Sequence, residues 1–322
     1  MQAGAPSARH VPVDRTRRPA RRGFPVAGRC RGGGDGVMPV VWLASYPKSG
    51  NTWFRAVLQA ILSAGAVDIN TIDPGEWGPG VGLFEEVVGL PFDELSADER
   101  RCLRGLVVEQ VARESERPVF WKTHEAFLPA DGDFTSFGSR DAARVIYLVR
   151  DPRDVACSYA HHRGKSIDDT IERMASSDHV SQFRRGGLVI DEPMGSWSDH
   201  ALAWLAQTEL PVHLLRFEDM LADPLAAFGK ALSFSGVACS EADLAKAIDA
   251  ARFERLQAQE RDTPFHERPR NAAPFFRSGR AGGWRNELSI GQIASIESAH
   301  AKAMHSLGYD RSEAGPIEGE KA

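Results

Sequence analysis

The sequence predicts an α/β fold, a single domain with a central parallel sheet flanked by helices. Three observations carry that expectation. Apolar, β-branched runs of strand length alternate with segments of helical periodicity, the pattern of strands joined by crossover helices. Three such runs, ending near Ala44, Val149 and Phe217, each give way within a few residues to a helical stretch. The junctions, where an open parallel sheet collects its ligands, hold Lys48, Arg150 and small polar residues. A composition of 42% hydrophobic and 26% charged residues is that of a globular chain, and 322 residues allow one large domain or two ordinary ones.

The first 37 residues stand apart. They hold eight arginines against two aspartates, with Pro and Gly throughout and no apolar periodicity, so they cannot bury enough surface to order themselves. A disordered tail is expected over 1–37. Met38 lies two residues before the first strand, so a second account stands beside it, in which the tail is upstream sequence that is not normally translated. No apolar h-region follows the arginines, and the Pro and Gly residues would spoil the helix of a transit peptide. The tail supplies +6 of a net charge of −5, leaving −11 for residues 38–322. So acidic a body is not a bulk nucleic-acid binder. No apolar run reaches the roughly 18 residues that a membrane span needs. The four cysteines, Cys30, Cys102, Cys157 and Cys239, form no CxxC pair, which argues against a structural zinc and for a reducing compartment, the cytoplasm. Residues 311–322 read as a second disordered tail, so the folded domain is expected over 38–310.

The rest of the chain is organised around residues 40–62. Val40 to Ala44 has the length and content of a buried strand, and Trp53, Val57, Leu58, Ile61 and Leu62 recur at helical spacing. Between them Tyr46-Pro47-Lys48-Ser49-Gly50-Asn51 is a tight polar turn with one cation. The free amides of a first helical turn point at an anion, the helix dipole favours it, and the lysine adds a full charge. Together these make a phosphate-binding arrangement. The GxxxxGK[ST] nucleotide loop is not matched, because Pro47 stands where a glycine precedes the lysine.

Residues 68–91, rich in Gly, Pro and acid with Trp77 and Phe84 embedded, read as an irregular connection, either a binding loop or lid or a disordered insertion. Leu95 to Glu116 is a helix capped by Ser96, with Asp98 and Glu99 in its first turn. Pro118 to His124 is a short strand that delivers Lys122 and His124 at its end, two apart and so on one side. A lone histidine is equally explained by a structural or solvated role. Ala143 to Val149 is a strand, 150–154 a turn, and Val155 to His162 opens a helix with Pro152 in its first turn. Arg150 offers a forked donor set at the strand end and Ser158 a hydroxyl about two helical turns on. A surface arginine and a buried helix serine remain the plain alternative. Arg153 and Asp154 read as a capping or salt-bridge pair. His161 and His162 diverge by about 100° on a helix and cannot share an ion.

Further on, 166–183 reads as helical and 184–193 as a loop. Ser196 caps a helix over 197–207 whose core stripe is Trp197, Ala201 and Trp204, with His200 as a packing residue. Pro211 to Phe217 is a strand followed by a helix from about Pro224, and Asp243 to Leu256 is another helix. Phe276 to Arg285 is a basic, glycine-rich loop whose backbone can approach an anion closely.

Four of these segments together resemble the PAPS-dependent sulfotransferases of the cytosolic type, whose donor is 3′-phosphoadenosine 5′-phosphosulfate (PAPS) and whose product nucleotide is 3′-phosphoadenosine 5′-phosphate (PAP). YPKSGNTW resembles the 5′-phosphosulfate loop, KTH the segment carrying the catalytic base, RDPRDVACSYAHH the 3′-phosphate motif, and FRSGRAGGW the C-terminal RxGxxGxW segment. The resemblance runs from about Val40 to Trp284 and implies a P-loop-NTPase-like architecture, a PAPS donor with no metal, and sulfuryl transfer to a hydroxyl, or an amine, of a small-molecule acceptor.

Position by position, the resemblance implies His124 as general base and Lys48 as the cation that stabilises the leaving 5′-phosphate. The amides of Gly50, Asn51 and Thr52 support Lys48, Ser49 lies in the same loop, and Lys122 shares the role. Arg150 and Ser158 hold the 3′-phosphate with Arg277, Ser278 and Gly279, and Ser158 also restrains Lys48. Trp53, Phe217 and Phe253 surround the adenosine.

Several positions depart from the family pattern. Asn51 replaces a common Thr and is expected still to cap the helix; Phe217 stands where Tyr is common, Ser278 where Lys is, and Gly283 where Asp is. The family's dimer segment is only partly matched over 285–294, so monomer and homodimer both stay open. Residues 68–91 and 163–193 would wall the acceptor. Two other readings remain at the level of sequence. One is an ATP- and magnesium-dependent kinase or NTPase of related architecture, for which Ser49 follows Lys48. The other is a non-catalytic nucleotide-binding protein.

Overall fold

β1 (Val40–Ser45) is buried along its whole length and has a parallel partner on each side. The computed structural model describes residues 38–72, 76–129, 135–185, 188–268 and 273–310, so both expected tails, 1–37 and 311–322, lie outside the described residues. β1 leads through the phosphate-type turn into α1 (Asn51–Leu62). Then come β2 (Glu76–Trp77), α2 (Val81–Val88), α3 (Ala97–Glu114) and β3 (Val119–Thr123). β4 (Ala143–Val149) runs into α4 (Pro152–Arg163) and α5 (Ile167–Ala175), followed by β5 (Val180–Arg185), β6 (Leu188–Pro193) and α6 (Trp197–Ala206). β7 (Val212–Arg216) is followed by α7 (Phe217–Ala222), α8 (Pro224–Ser235), α9 (Glu241–Ala250), α10 (Phe253–Asp262), α11 (Ile290–Ala299) and α12 (Ala301–Ser306).

Five strands form one parallel sheet in the order β2-β3-β1-β4-β7. Alternation along β1 splits the core in two. Val40, Trp42 and Ala44 pack with Trp121, Tyr147, Trp197 and Trp204 on one face; Val41 and Leu43 pack with Phe54, Leu58, Ile146 and Phe228 on the other. Each such side chain contributes roughly 1.5–3 kcal/mol by leaving water. The chain moves from β1 to β2 and β3 on one side and then to β4 on the other, so the strand order reverses at β1. The crevice outside its carboxyl end, at Ser45, is where an open α/β sheet binds ligands.

Three expectations are corrected. Residues 68–91 are not one irregular connection: a 3-10 turn at Ile69–Thr71 is capped by Asp68, and α2 buries Phe84 and stops at Gly89 in the left-handed region, φ 76°. The glycines that made the segment look irregular bound a helix instead. Residues 176–193 are not a helix running into a loop, because β5 and β6 pair antiparallel from Val180 opposite Pro193 to Arg185 opposite Leu188. Gly186-Gly187 between them is the sequence signal of a hairpin. The helix expected over 243–256 is two helices, since Arg252 leaves the helical region at φ −59° and ψ 144° and restarts the chain as α10 at Phe253.

Candidate active site

The turn after β1 is built on two residues with left-handed backbone. Gly50, at φ 99°, has no room for a side chain: a Cβ there would lie 2.8 Å from Phe217 Cδ2 and 2.9 Å from Met220 Cε. Lys48, at φ 70°, adopts this conformation with a side chain, a strained state that clusters at functional sites. Gly50 is the N-cap of α1 and supplies no side-chain bond to the helix. The expected capping by Asn51 does not occur. Asn51 is already the first helical residue, and its Nδ2 donates back to Leu43 O at 3.0 Å and to Ser45 Oγ at 3.1 Å, tying the loop to β1. Ser49 Oγ, Trp53 Nε1 and Arg150 Nε are buried without a hydrogen-bond partner among the described residues.

The strand ends and loops surround a cavity of about 1230 Å³. Of the site residues expected from sequence, Lys48, Gly50, Asn51, Thr52, Trp53, Lys122, His124, Arg150, Ser158, Phe217, Phe253, Arg277, Ser278 and Gly279 all line it; Ser49 does not and is fully buried. The cations crowd one another. Burial, then Arg150 and Lys122, lower the Lys48 pKa to about 7. Its ammonium stands 3.5 Å from the centre of the Phe275 ring, and among the described residues no hydrogen bond joins it to Ser158, which lines the same cavity. An aromatic face satisfies a partly buried cation.

Lys122 donates to Glu267 Oε2 at 3.1 Å, and Arg55 donates to Glu267 Oε1 at 2.6 Å. Burial pushes the Glu267 carboxyl up, but Lys122 and Arg55 outweigh it and hold the group well below the usual carboxylate range. Burial lowers Lys122 in turn, with Glu267 opposing. His124 is fixed through Nδ1, which lies 2.6 Å from Ser45 O and 3.3 Å from Ser45 Oγ. A carbonyl only accepts, so Nδ1 carries the proton and Nε2 is the basic nitrogen. Burial, then Lys122, hold its pKa well below 6.5, lower than a base titrating near neutrality, so the ring is neutral at pH 7.

Arg150 donates to Lys48 O at 3.3 Å and Arg280 O at 2.8 Å and lies over Phe217. It thus bridges the first loop to the C-terminal one. Arg153 and Asp154 do not pair with each other. Arg153 binds Asp151 and Glu297, each at 2.7 Å, while Asp154 accepts the amides of Gly282 at 2.6 Å and Trp284 at 3.1 Å. Consecutive residues on a helix diverge, so each serves a different neighbour. Gly279, at φ 61°, passes so close over Phe253 that a Cβ would meet its ring at 2.4 Å. Trp53 stands edge-on to Phe217 and Phe228, and Arg277 donates to Glu287 at 2.6 Å. His200 is a packing residue, bonded to the Tyr147 hydroxyl at 2.9 Å and to His124 O at 3.2 Å. His161 faces Pro274 O and His162 the Phe275 ring, and the described residues contain no group of three metal-ligating side chains.

Sequence reasoning missed Arg55, Glu267 and Phe275 on this wall and weighed His162 only as a metal ligand. Arg55 and His162 sit on helices the sequence does indicate, at positions facing inward; Glu267 and Phe275 lie in a stretch with no local pattern and no signal to find them.

Fold and site together define a parallel-sheet protein with a phosphate-type loop and a cation-lined cleft at its switch point. Residues 39–308 match the family model of the sulfotransferase domain, and the chain belongs to that family: it is a sulfotransferase, an enzyme. It is 26% identical to sulfotransferase 1B1 of Mus musculus over 269 residues, 81% of each chain. It is 25% identical to flavonol 3-sulfotransferase of Flaveria bidentis over 270 residues, 80% of this chain and 79% of that one. Among solved structures it shares its fold with retinol dehydratase in complex with androsterone and the inactive cofactor PAP, at a TM-score of 0.54 and 19% identity, covering 83% and 82% of the two chains.

Proposed function

We propose that this sulfotransferase moves the sulfuryl group of PAPS to a hydroxyl of a small-molecule acceptor, with His124 as general base. The observation that carries the reading is the pinning of His124 Nδ1 on Ser45 O, at the head of the cavity that Lys48 and Arg150 also line. That contact makes Nε2 the proton-accepting nitrogen.

The residues fit the donor. Trp53 Nε1 and Arg150 Nε, on residues that line the cavity, are buried with no partner among the described residues, the first turn of α1 has no side-chain cap, and burial, then Arg150 and Lys122, lowers the proton affinity of Lys48. All of these are relieved by anionic, hydrogen-bonding oxygens. Lys48 and the amides of residues 50–52 would hold the 5′-phosphate, and Arg150, Ser158, Arg277, Ser278 and Gly279 the 3′-phosphate. Trp53, Phe217 and Phe253 would take the adenosine. PAP in the related retinol dehydratase structure supports this choice of nucleotide. When bound, PAPS supplies the sulfuryl group and a phosphate leaving group.

In this reading His124 Nε2 takes the acceptor proton, and the neutral ring that burial enforces is the form able to do so. Lys48 neutralises charge on the departing phosphate oxygen, a role for a preorganised cation in a dry site. Lys122, held by Glu267, keeps the cavity positive beside it. No magnesium is invoked, since side chains provide the neutralising charge. The domain is taken as residues 38–310. Free thiols at Cys102, Cys157 and Cys239 support a reducing compartment such as the cytoplasm.

Calorimetric titration with PAP, followed by incubation with labelled PAPS and a fractionated extract, tests the proposal. Binding of PAP and label transfer to an acceptor are expected. A protein that ignored PAP but bound and turned over ATP with magnesium would be the rival kinase or NTPase; PAP binding without transfer to any acceptor would mark a nucleotide-binding protein.

A further inference from the structure

A second cavity of about 110 Å³ shares two of its wall residues, Lys122 and Phe183, with the first. Trp42, Phe84 and Phe92 give it an aromatic wall. Most of its polar groups are already engaged. Arg104 holds Glu125 through two bonds, of 2.8 and 2.7 Å, and Arg100 donates to Phe92 O at 2.8 Å. Glu192, on β6, differs. It is 3% exposed, its Oε1 accepts the His124 amide at 3.0 Å, and its Oε2 is shielded from solvent with no hydrogen-bond partner among the described residues. An orphaned buried carboxyl oxygen beside a catalytic segment calls for a partner from outside the chain.

We propose that Glu192 is a specificity-determining residue of the acceptor site, and that its Oε2 pairs with a second hydroxyl of a flat, polyhydroxylated acceptor whose other hydroxyl meets His124. The proposal rests on the sulfuryl-transfer reading above. The aromatic wall and the small volume suit one ring or an equally slim apolar segment. The charged groups lining this cavity with Glu192 are Lys122 from β3, Arg100, Arg101 and Arg104 from α3, Glu125 after β3, and Asp191 on β6; Lys122, Arg101 and Arg104 are paired with Glu267, Asp98 and Glu125. Burial, then Glu125, push the Glu192 pKa up to about 8, so both its protonation states are within reach near neutrality. A hydroxyl donates and accepts and therefore fits either state; a ketone fits only the protonated carboxyl. An acceptor lacking the second hydroxyl leaves Oε2 unpaired, which is how a buried polar site rejects a close analogue.

The test compares 4-(2-hydroxyethyl)phenol with 4-propylphenol, which replaces the distal hydroxyl by a methyl group, in wild type and Glu192→Leu, with PAP affinity measured on each protein. Wild type is expected to favour the diol about tenfold or more in kcat/KM, and Glu192→Leu to abolish or invert that preference. An unchanged ratio in a variant that still binds PAP overturns the proposal. Should neither probe be sulfated, calorimetry of both on the PAP-loaded protein decides: diol binding lost in Glu192→Leu supports it, and no binding of either probe overturns it while PAP affinity leaves the donor reading standing. Should Glu192→Leu not fold, Glu192→Gln keeps an oxygen for the His124 amide but only donates at the other position. A shift of preference toward the ketone 4-(2-oxopropyl)phenol is then expected, and no shift overturns the proposal.

Discussion

Two side chains carry the proposed chemistry, and each has a pH signature that follows from its surroundings. His124 is neutral above a pKa held well below 6.5, so its basic form is fully present at neutral pH and is lost only as pH falls through that depressed value. The acidic limb of kcat/KM is expected below about 6.5, the ordinary histidine value; a limb at or above it would remove His124 from the role of base. His124→Ala is expected to lower transfer by about 10²–10⁴-fold while leaving PAP affinity nearly unchanged, which parallel turnover and calorimetric measurements check. Lys48 behaves in the opposite sense. With its pKa near 7 it is charged below that pH and progressively neutral above it, whereas a bound phosphate would hold the proton. PAP affinity is therefore expected to weaken as pH rises above 7, with proton uptake on binding. Lys48→Met should lower affinity about tenfold or more at pH 6 and flatten the pH dependence; an unaltered pH profile in that variant would clear Lys48 of contact with the phosphate.

At the scale of the element, the site depends on backbone shape and on how loops are fastened. Gly50→Ala places a Cβ in a left-handed residue against Phe217 and Met220. The left-handed backbone alone costs roughly 1–2 kcal/mol, and the displaced loop should bind PAP more weakly than its stability loss explains. Asp154 touches no expected ligand position, yet it holds the C-terminal basic loop to α4 through two backbone amides. Asp154→Ala leaves those amides wanting, at roughly 1–3 kcal/mol for each one that stays buried. Denaturant midpoints are expected to fall and PAP affinity with them, while restoring the acceptor as Asn should recover part of both.

For the whole molecule, the cavity proposed for the nucleotide draws on the loop after β1, the ends of β3 and β4, α4, α10 and the 276–285 loop, which local folding does not bring together. Ligand binding then reports on the assembled fold. Saturating PAP at about 100 times Kd is expected to stabilise the protein by about 2.7 kcal/mol, seen as a raised Tm, and ATP with magnesium is not. Equal shifts from both would point to a generic nucleotide site.

Local chemistry along the chain determined the strand-turn-helix units, because a β-branched run, a small polar turn and a helical stripe each depend on near neighbours. Lys48, Lys122, His124 and Arg150 stood out as candidates for that reason, all lying at or just beyond a junction, whereas Ser158, inside α4, stood out through the resemblance of its segment to a known motif. Where glycines bounded short elements, as around α2 and in the β5–β6 hairpin, the same local reading failed, since whether a glycine ends an element or breaks one depends on what the segment packs against. Only the tertiary structure decided which partners meet: Glu267 between Arg55 and Lys122, Phe275 over Lys48, Asn51 turned to β1 rather than to its helix, and the lone oxygen of Glu192. These contacts join residues far apart in the chain or depend on how side chains turn, and no local pattern encodes the distance or the burial on which their charge states rest.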